Sequence, residues 1–536
     1  MIDITKYVLR KYFKQIIIII FVGIVTIIAS LSFVVLSKRV IDNAVSMNYH
    51  NFYYYSVALI LVIFIQIIFS LLSNYIISYY TVSMANSLRY RLYRHMIFAR
   101  WSEMKTIHSS DIIIRFIKDV DDIVSLFVSS VPKFILAFIQ FIVTVIALYY
   151  LNPILSILLA IGTPIIALLG KFYFNKMKKI TDELKNLDSS ISKHIQETFT
   201  NHNIVRAFDR QQYEIDKLTS LQGSLLKAIK KRTMFSLYNS GMFYMAFNGG
   251  YIGTFLFGGV LLIKKMISFG TFTAYLQLVL RIQRPIQDII SVLPNFVYSK
   301  SSMDRLTFMF KVEQEEEEKK SLKYDSVSMN IENLTFHYGD EARNIYENFS
   351  LSIKSGEFVA FMGETGSGKT TLIRLMLGFV RPMSGCIKIS DSNNEYIVDE
   401  TTRSNFVYVP QGNCLFSGSI RDNILVGNNH ADSDRIGNAI KVACAEFVYD
   451  LPNGLDYEIS ENHTSLSEGQ AQRISVARAL ISDSKIILMD EATSALDEDT
   501  EIRLFNNLKK YYSNRIIIFV THHSRIANLC DKIIRI

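Results

Sequence analysis

Residues Gly363–Thr370 read GETGSGKT: a glycine, four residues, then Gly368, Lys369 and Thr370. Glycines leave the backbone free to curl around phosphate, and N–H groups at a following helix start favour negative charge. Lys369 is expected to reach the β- and γ-phosphates of a nucleotide. Thr370 is expected to hold magnesium through its hydroxyl, and Thr371 to add an α-phosphate contact. Glu364, Thr365, Gly366 and Ser367 complete the cradle. The flanks agree: FVAFM before it reads as a buried strand and TLIRLML after it as a helix. Two further elements follow in order, LSEGQ at Leu466–Gln470 and ILMDE at Ile487–Glu491. A plain glycine-rich turn would not be followed by both.

A chain of 536 residues is long enough for more than one domain. Half of its residues are hydrophobic, and the long apolar runs fall in the first 300 or so; the remainder reads as a soluble α/β domain. A net charge of +8 would fit a nucleic-acid partner, but the basic residues sit mostly in loops between apolar segments, so membrane topology accounts for them and no nucleic acid is expected. All four cysteines lie in the soluble half without metal-ligand spacing, as in a reduced cytosolic domain. The first apolar run is too long for a cleavable signal, and too few residues precede it for a protease domain.

A membrane-crossing helix needs roughly 20 apolar residues. Six spans are expected, at about 15–36, 52–80, 131–151, 154–174, 236–263 and 267–295, within a helical membrane domain over 1–310. A linker over 311–328 leads to a nucleotide-binding domain at 329–536. The acidic run Glu315–Glu318 in that linker reads as solvated, with no partner. Lys and Arg crowd the loops before the first span and after the second and fourth, so both termini are expected inside. The inner segments are long and helical. They are expected to touch the ATPase through short transverse turns near Trp101–Asp111 and Val205–Arg210.

This chain resembles an ATP-binding cassette exporter half-transporter, six membrane helices fused to one nucleotide-binding domain, over nearly its whole length. By that resemblance the fold is an all-α transmembrane domain followed by an α/β P-loop NTPase. Tyr338 is similar to the aromatic that stacks on adenine; the other reading is a strand aromatic in the core. Asp490 is expected to bind magnesium, with Glu491 polarising the attacking water. Gln411 resembles the glutamine that senses magnesium and water, and His522 the switch histidine at the γ-phosphate. Asp497 resembles the residue that communicates between paired sites. Leu466, Ser467, Glu468, Gly469 and Gln470 form the family signature, with Glu468 in place of the first glycine; Ser467 and Gly469, which touch the γ-phosphate, are kept. Arg473 and Arg478 read as ion partners on the helix that follows.

The resemblance places each ATP, with Mg2+, between the phosphate loop of one copy and the signature of another. One chain has one cassette, so a dimer is implied. A homodimer is expected because Glu491 and His522 are both present, and a heterodimer is compatible. The expected activity is ATP-driven export of a hydrophobic or amphipathic substrate (peptide, lipid or drug-like) from the cytosol of a bacterial cell. The alternative is an ATP-gated channel or sensor built on the same engine. Arg281, Gln283, Arg284, Gln287 and Asp288 surround Pro285 in the sixth span. They read either as a patch for an anionic or amphipathic substrate, or as snorkelling side chains and Arg–Asp pairs.

Overall fold

The computed structural model describes residues 2–536 except 106–108, 152, 154–175, 178, 181–182, 185, 324–325, 340–343, 365, 413 and 460–465. The expected fourth span, 154–174, therefore lies outside the described residues, as does Thr365. Two compact units divide the chain: Met1–Met96 with His108–Lys311, and Ile97–Ile107 with Val312–Ile536.

The first unit is helical. α1 covers Ile2–Val45 and α2 Tyr49–Ile97. After the short α3 (Trp101–Met104), which belongs to the second unit, come α4 (Ser109–Ile114), α5 (Val120–Ser125) and α6 (Val131–Leu151). Single π turns at Arg115–Asp119 and Leu126–Ser130 join the last three. α7 runs over 186–200, α8 over His202–Ala207, α9 over Gln211–Ile263 and α10 over Phe269–Lys311. Residues 10–45, 49–97 and 112–151 are each long and apolar enough to cross a membrane, and 248–263 is a shorter apolar stretch. At 1.5 Å per residue α2 is about 73 Å long, more than twice a hydrocarbon core of about 30 Å. Its two ends differ accordingly. Ile60, Phe64, Ile68 and Leu71 are exposed apolar side chains, suited to lipid, whereas Met84, Leu88, Leu92 and Met96 form a buried stripe at helical spacing.

Around the first π turn, polar groups enter the packing. Asp119 is buried and accepts from Nε of Arg305 on α10 at 2.8 Å, while Ser302 donates to Asp122 at 2.9 Å. A buried carboxylate without such a donor would be costly.

The second unit is built on β1 (Ser328–Phe336), β2 (Tyr346–Lys354), β3 (Phe358–Met362), β4 (Ser384–Ser390), β5 (Glu395–Ile397) and β6 (Phe406–Val409). Then come β7 (Gly418–Ser419), β8 (Glu458–Ile459), β9 (Ile486–Asp490), β10 (Ile516–Val520) and β11 (Lys532–Arg535). A five-stranded parallel sheet has the order β11-β3-β10-β9-β6; an antiparallel sheet has β2-β1-β4-β5. β9 and β10 are buried at every residue, which explains their unbroken apolar sequences. Alternate residues feed two cores. Ile487, Met489, Ile517 and Phe519 pack with α14 (Glu468–Leu480), while Ile486, Leu488, Ile516 and Ile518 pack with α11 (Lys369–Met376).

The acidic linker departs from expectation. Glu315 receives both guanidinium nitrogens of Arg403, at 2.6 and 3.0 Å, and its N–H donates to Phe98 O at 2.7 Å. Lys320 N–H reaches Thr401 O, and Asn405 accepts from Leu322 N–H. A run of like charges looks solvated in sequence; here the first glutamate has a bidentate arginine partner supplied some 88 residues later.

Candidate active site

The phosphate loop joins β3 to α11. Gly366 and Gly368 take φ of +88° and +106°, values that favour glycine. A side chain on Gly368 would also meet Ile345 at 2.5 Å. Lys369 sits at the start of α11, buried, and donates to the carbonyls of Gly363 (2.7 Å) and Glu364 (2.8 Å). Tyr346 donates its hydroxyl to Gly368 O at 2.9 Å and so braces the loop from β2. Ser367 Oγ is buried without a protein partner, and Thr371 is buried behind it on α11.

The parallel sheet delivers the other groups at the carboxyl ends of neighbouring strands. β9 ends in Asp490, with Glu491 just beyond; β10 leads through Thr521 to His522; β6 leads to Gln411. Gln411 Nε2 donates to Glu491 Oε2 at 2.5 Å, and His522 Nδ1 lies 3.4 Å from Glu491 Oε1. Glu491 adopts φ +49°, an unusual conformation for a non-glycine residue at a site, and its N–H donates to Val520 O. Asp490 is buried and accepts from the hydroxyls of Tyr408 (3.2 Å) and Thr370. Burial raises the Asp490 carboxyl above its ordinary range, against the lowering effect of those two hydroxyls. Burial also raises Tyr408, and the Asp490 charge adds to it.

These donors fit a magnesium nucleotide. Thr370 hydroxyl, Asp490 carboxylate and the Gln411 amide are hard oxygen ligands, while Ser367 Oγ and the loop N–H groups suit phosphate oxygens. Among the described residues no group of three or more His, Cys, Asp or Glu is placed to hold a metal. Such a site completes its shell with phosphate and water.

Tyr338 follows β1. Its hydroxyl accepts from Arg374 at 3.0 Å, and its ring packs edge-on against Phe336. Sequence reading expected the stretch that holds Trp101 and Lys105 to touch the ATPase, but it paired neither with Tyr338 and missed Arg374. Trp101 stacks on Phe379 with centroids 5.3 Å apart, Arg374 lies over Trp101, and Lys105 Nζ lies 5.2 Å from the Tyr338 ring centroid. Trp101 and Phe379 line a cavity of about 270 Å³ with Tyr338, Glu400 and Arg100. Two signals were available: Trp101 is the sole tryptophan, and Arg374 follows Thr370 by four residues on a helix.

The signature residues form a separate group. Ser467 caps α14 and accepts from Gln470 N–H at 3.2 Å, and the Gln470 side chain accepts from Ser467 N–H at 2.9 Å. Glu468 is exposed in the first turn, where an acid favours the helix dipole. Leu466 is buried, and Gly469 approaches so closely that a side chain there would meet Ala495 O at 2.6 Å. Gln472, also missed, ties α14 to the segment after β9 through Ser494 and Ala495 N–H. Asp497 caps α15 (Glu498–Tyr511) by accepting from Thr500 N–H at 3.0 Å. Arg473 and Arg478 are not the expected ion partners. They donate to the carbonyls of Cys444 (2.7 Å) and Cys414 (2.9 Å), fastening α14 to the loops beside it.

A phosphate loop feeding a helix, two acids at a strand end and a parallel sheet between helical layers define an ATP-hydrolysing cassette, fused to a helical membrane unit. Residues 16–286 match the ABC transporter transmembrane region, and 346–494 match the ABC transporter ATPase family. A Rickettsia prowazekii (strain Madrid E) protein that carries an export ATP-binding/permease name is 28% identical over 99% of this chain and 93% of its own length. The ATP-dependent lipid A-core flippase of Desulfotalea psychrophila is 27% identical over 84% of this chain and 79% of its own. The solved structure of a bacterial Atm1-family ABC exporter with ATP bound shares the fold, with TM-score 0.81 and 21% identity over 99% of this chain and 94% of its own. The chain belongs to the ABC transporter family, in the exporter arrangement with membrane region and ATPase in one polypeptide.

Proposed function

We propose that two copies of this chain form an ATP-driven exporter in a bacterial plasma membrane, with the cassettes and both termini in the cytoplasm. The observation that carries this reading is the convergence of Gln411, Asp490 and Glu491 with His522 at one edge of the parallel sheet, beside Thr370 and Lys369. In the reading, Tyr338 stacks on adenine. Gly363–Thr371 hold the phosphates, with Lys369 exchanging its two carbonyl partners for phosphate oxygens. Magnesium, held by Thr370, Asp490 and Gln411, would neutralise charge on the phosphates. Glu491 takes a proton from the attacking water, and His522 steadies the γ-phosphate. Leu466–Gln470 and Asp497 act on the nucleotide of the partner copy.

Binding drives the cycle only if the closed pair holds ATP more tightly than the open one. Closure would rock the membrane helices from inward- to outward-facing, and hydrolysis would reset them. Export of an amphipathic molecule is supported by the membrane-region match and by the lipid-moving name of one relative. Inside-out vesicles bearing the protein should accumulate a labelled amphiphile with ATP and not with Glu491→Gln. ATP-dependent single-channel current without accumulation would reject the reading.

A further inference from the structure

α10 carries a polar seam. Gln277, Arg281, Arg284, Asp288, Ser291 and Asn295 recur at alternating steps of four and three, the spacing of one helix face. The opposite face is apolar: Tyr275, Leu278, Ile282 and Ile286 pack with Val34 of α1 and Leu148 of α6. Along the seam most groups have partners. Gln277 donates to Ser37 at 3.3 Å, Lys133 pairs with Asp288 at 2.9 Å and donates to Ser291, and Asn295 donates to Ser130 at 3.1 Å.

Arg281 and Arg284 differ. The Arg281 guanidinium lies 5.9 Å from the Phe33 ring centroid, and among the described residues neither arginine has a carboxylate partner. The sequence closes the question for the rest. Asp288 is the only acid in the six apolar stretches, including the whole of 154–174, and Lys133 holds it. A second copy would add two more arginines and one more acid, its own Asp288, which comes with its own Lys133.

Both lie at depth. Arg281 and Arg284 are twelve and fifteen residues into α10, about 18 and 22 Å along its axis, against a core of about 30 Å. Both fall inside the match to the family's membrane region. Helical side chains lean toward the helix N-terminus, here away from the inner surface, so snorkelling to the inner headgroups is disfavoured. One turn above Arg281, Gln277 Oε1 is buried without a partner. Unpaired cations at this depth call for an anion from elsewhere.

We infer that Arg281 and Arg284 bind the phosphate or carboxylate of an amphipathic substrate, a lipid headgroup or a soluble organic anion, with Gln277 at the edge of the site. This rests on the exporter reading and narrows its cargo. The test uses the full chain in phosphatidylcholine nanodiscs without ATP, and reads binding by thermophoresis. Dodecyl phosphate should bind at least about tenfold more tightly than dodecyltrimethylammonium or dodecyl maltoside. Arg281→Gln and Arg284→Gln should each weaken it about tenfold or more, the range for hydrogen bonds to a charged partner. The corresponding lysine variants should keep most of it.

Equal binding of the three tail-matched probes to the unaltered protein overturns the inference and needs no variant. Displacement by phosphatidylglycerol in the disc identifies a lipid source, and displacement by phenyl phosphate a soluble one. Displacement by neither overturns the site. Binding is read without nucleotide, so failure of vesicle transport would sink the exporter reading and leave this result standing.

Discussion

Replacing Glu491 by Gln separates chemistry from structure. In the folded chain Glu491 Oε2 faces the Gln411 amide and Oε1 faces His522 Nδ1. An amide flipped to keep its oxygen toward Gln411 would present its NH2 to the imidazole, so both contacts survive and the φ of +49° is unchanged. The substitution should therefore cost little stability. What it removes is the proton acceptor. A positioned general base contributes about 10²- to 10⁴-fold, or roughly 3–5 kcal/mol of barrier. The assay is steady-state phosphate release at saturating Mg-ATP, with nucleotide occupancy measured in parallel. Phosphate release should fall by about 10²-fold or more while ATP stays bound. A variant that hydrolyses within about threefold of the unaltered protein would refute Glu491 as the base, since the smallest expected loss is thirty times larger.

Asp490→Asn should abolish magnesium-dependent turnover yet stabilise the nucleotide-free cassette. The folded Asp490 carboxyl is raised by burial, so its ionised form costs stability as pH climbs above the ordinary carboxylate range. Thermal melts should show that the unaltered cassette loses stability as pH rises through this window, and that the variant loses less. Tyr338→Ala should weaken ATP binding by about 1–3 kcal/mol, the worth of one base stacked on an aromatic. ATP titration of Trp101 emission, the sole tryptophan signal, reads it directly. Glu315→Gln removes half the charge from a half-buried bidentate pair; a loss of about 1.5–3 kcal/mol should appear as faster hydrogen exchange around Lys320 and Leu322.

The sequence and the fold speak with different clarity at different places. β9 and β10 were legible because both of their faces are buried, which leaves unbroken apolar runs ending in polar residues. The phosphate loop was legible because its glycines and lysine are contiguous. Glu315 was misread because its partner Arg403 is remote in sequence and near only after the β6 strand is in place. Arg473 and Arg478 were misread for a related reason: carbonyl acceptors leave no trace in side-chain composition. Trp101 escaped notice as a neighbour of Tyr338 because more than 230 residues separate them. The pairing of Asp288 with Lys133 was not legible because the two lie on different helices, 155 residues apart.

The order of strands has a consequence for biosynthesis. β3 and β10 are neighbours in the sheet, yet about 150 residues part them, and β10 with His522 is translated after every apolar helix. A ribosome-bound intermediate can expose the phosphate loop while half of its supporting sheet is still unmade. The parallel sheet, and with it the ATP site of one cassette, is thus complete only after every apolar stretch has been made.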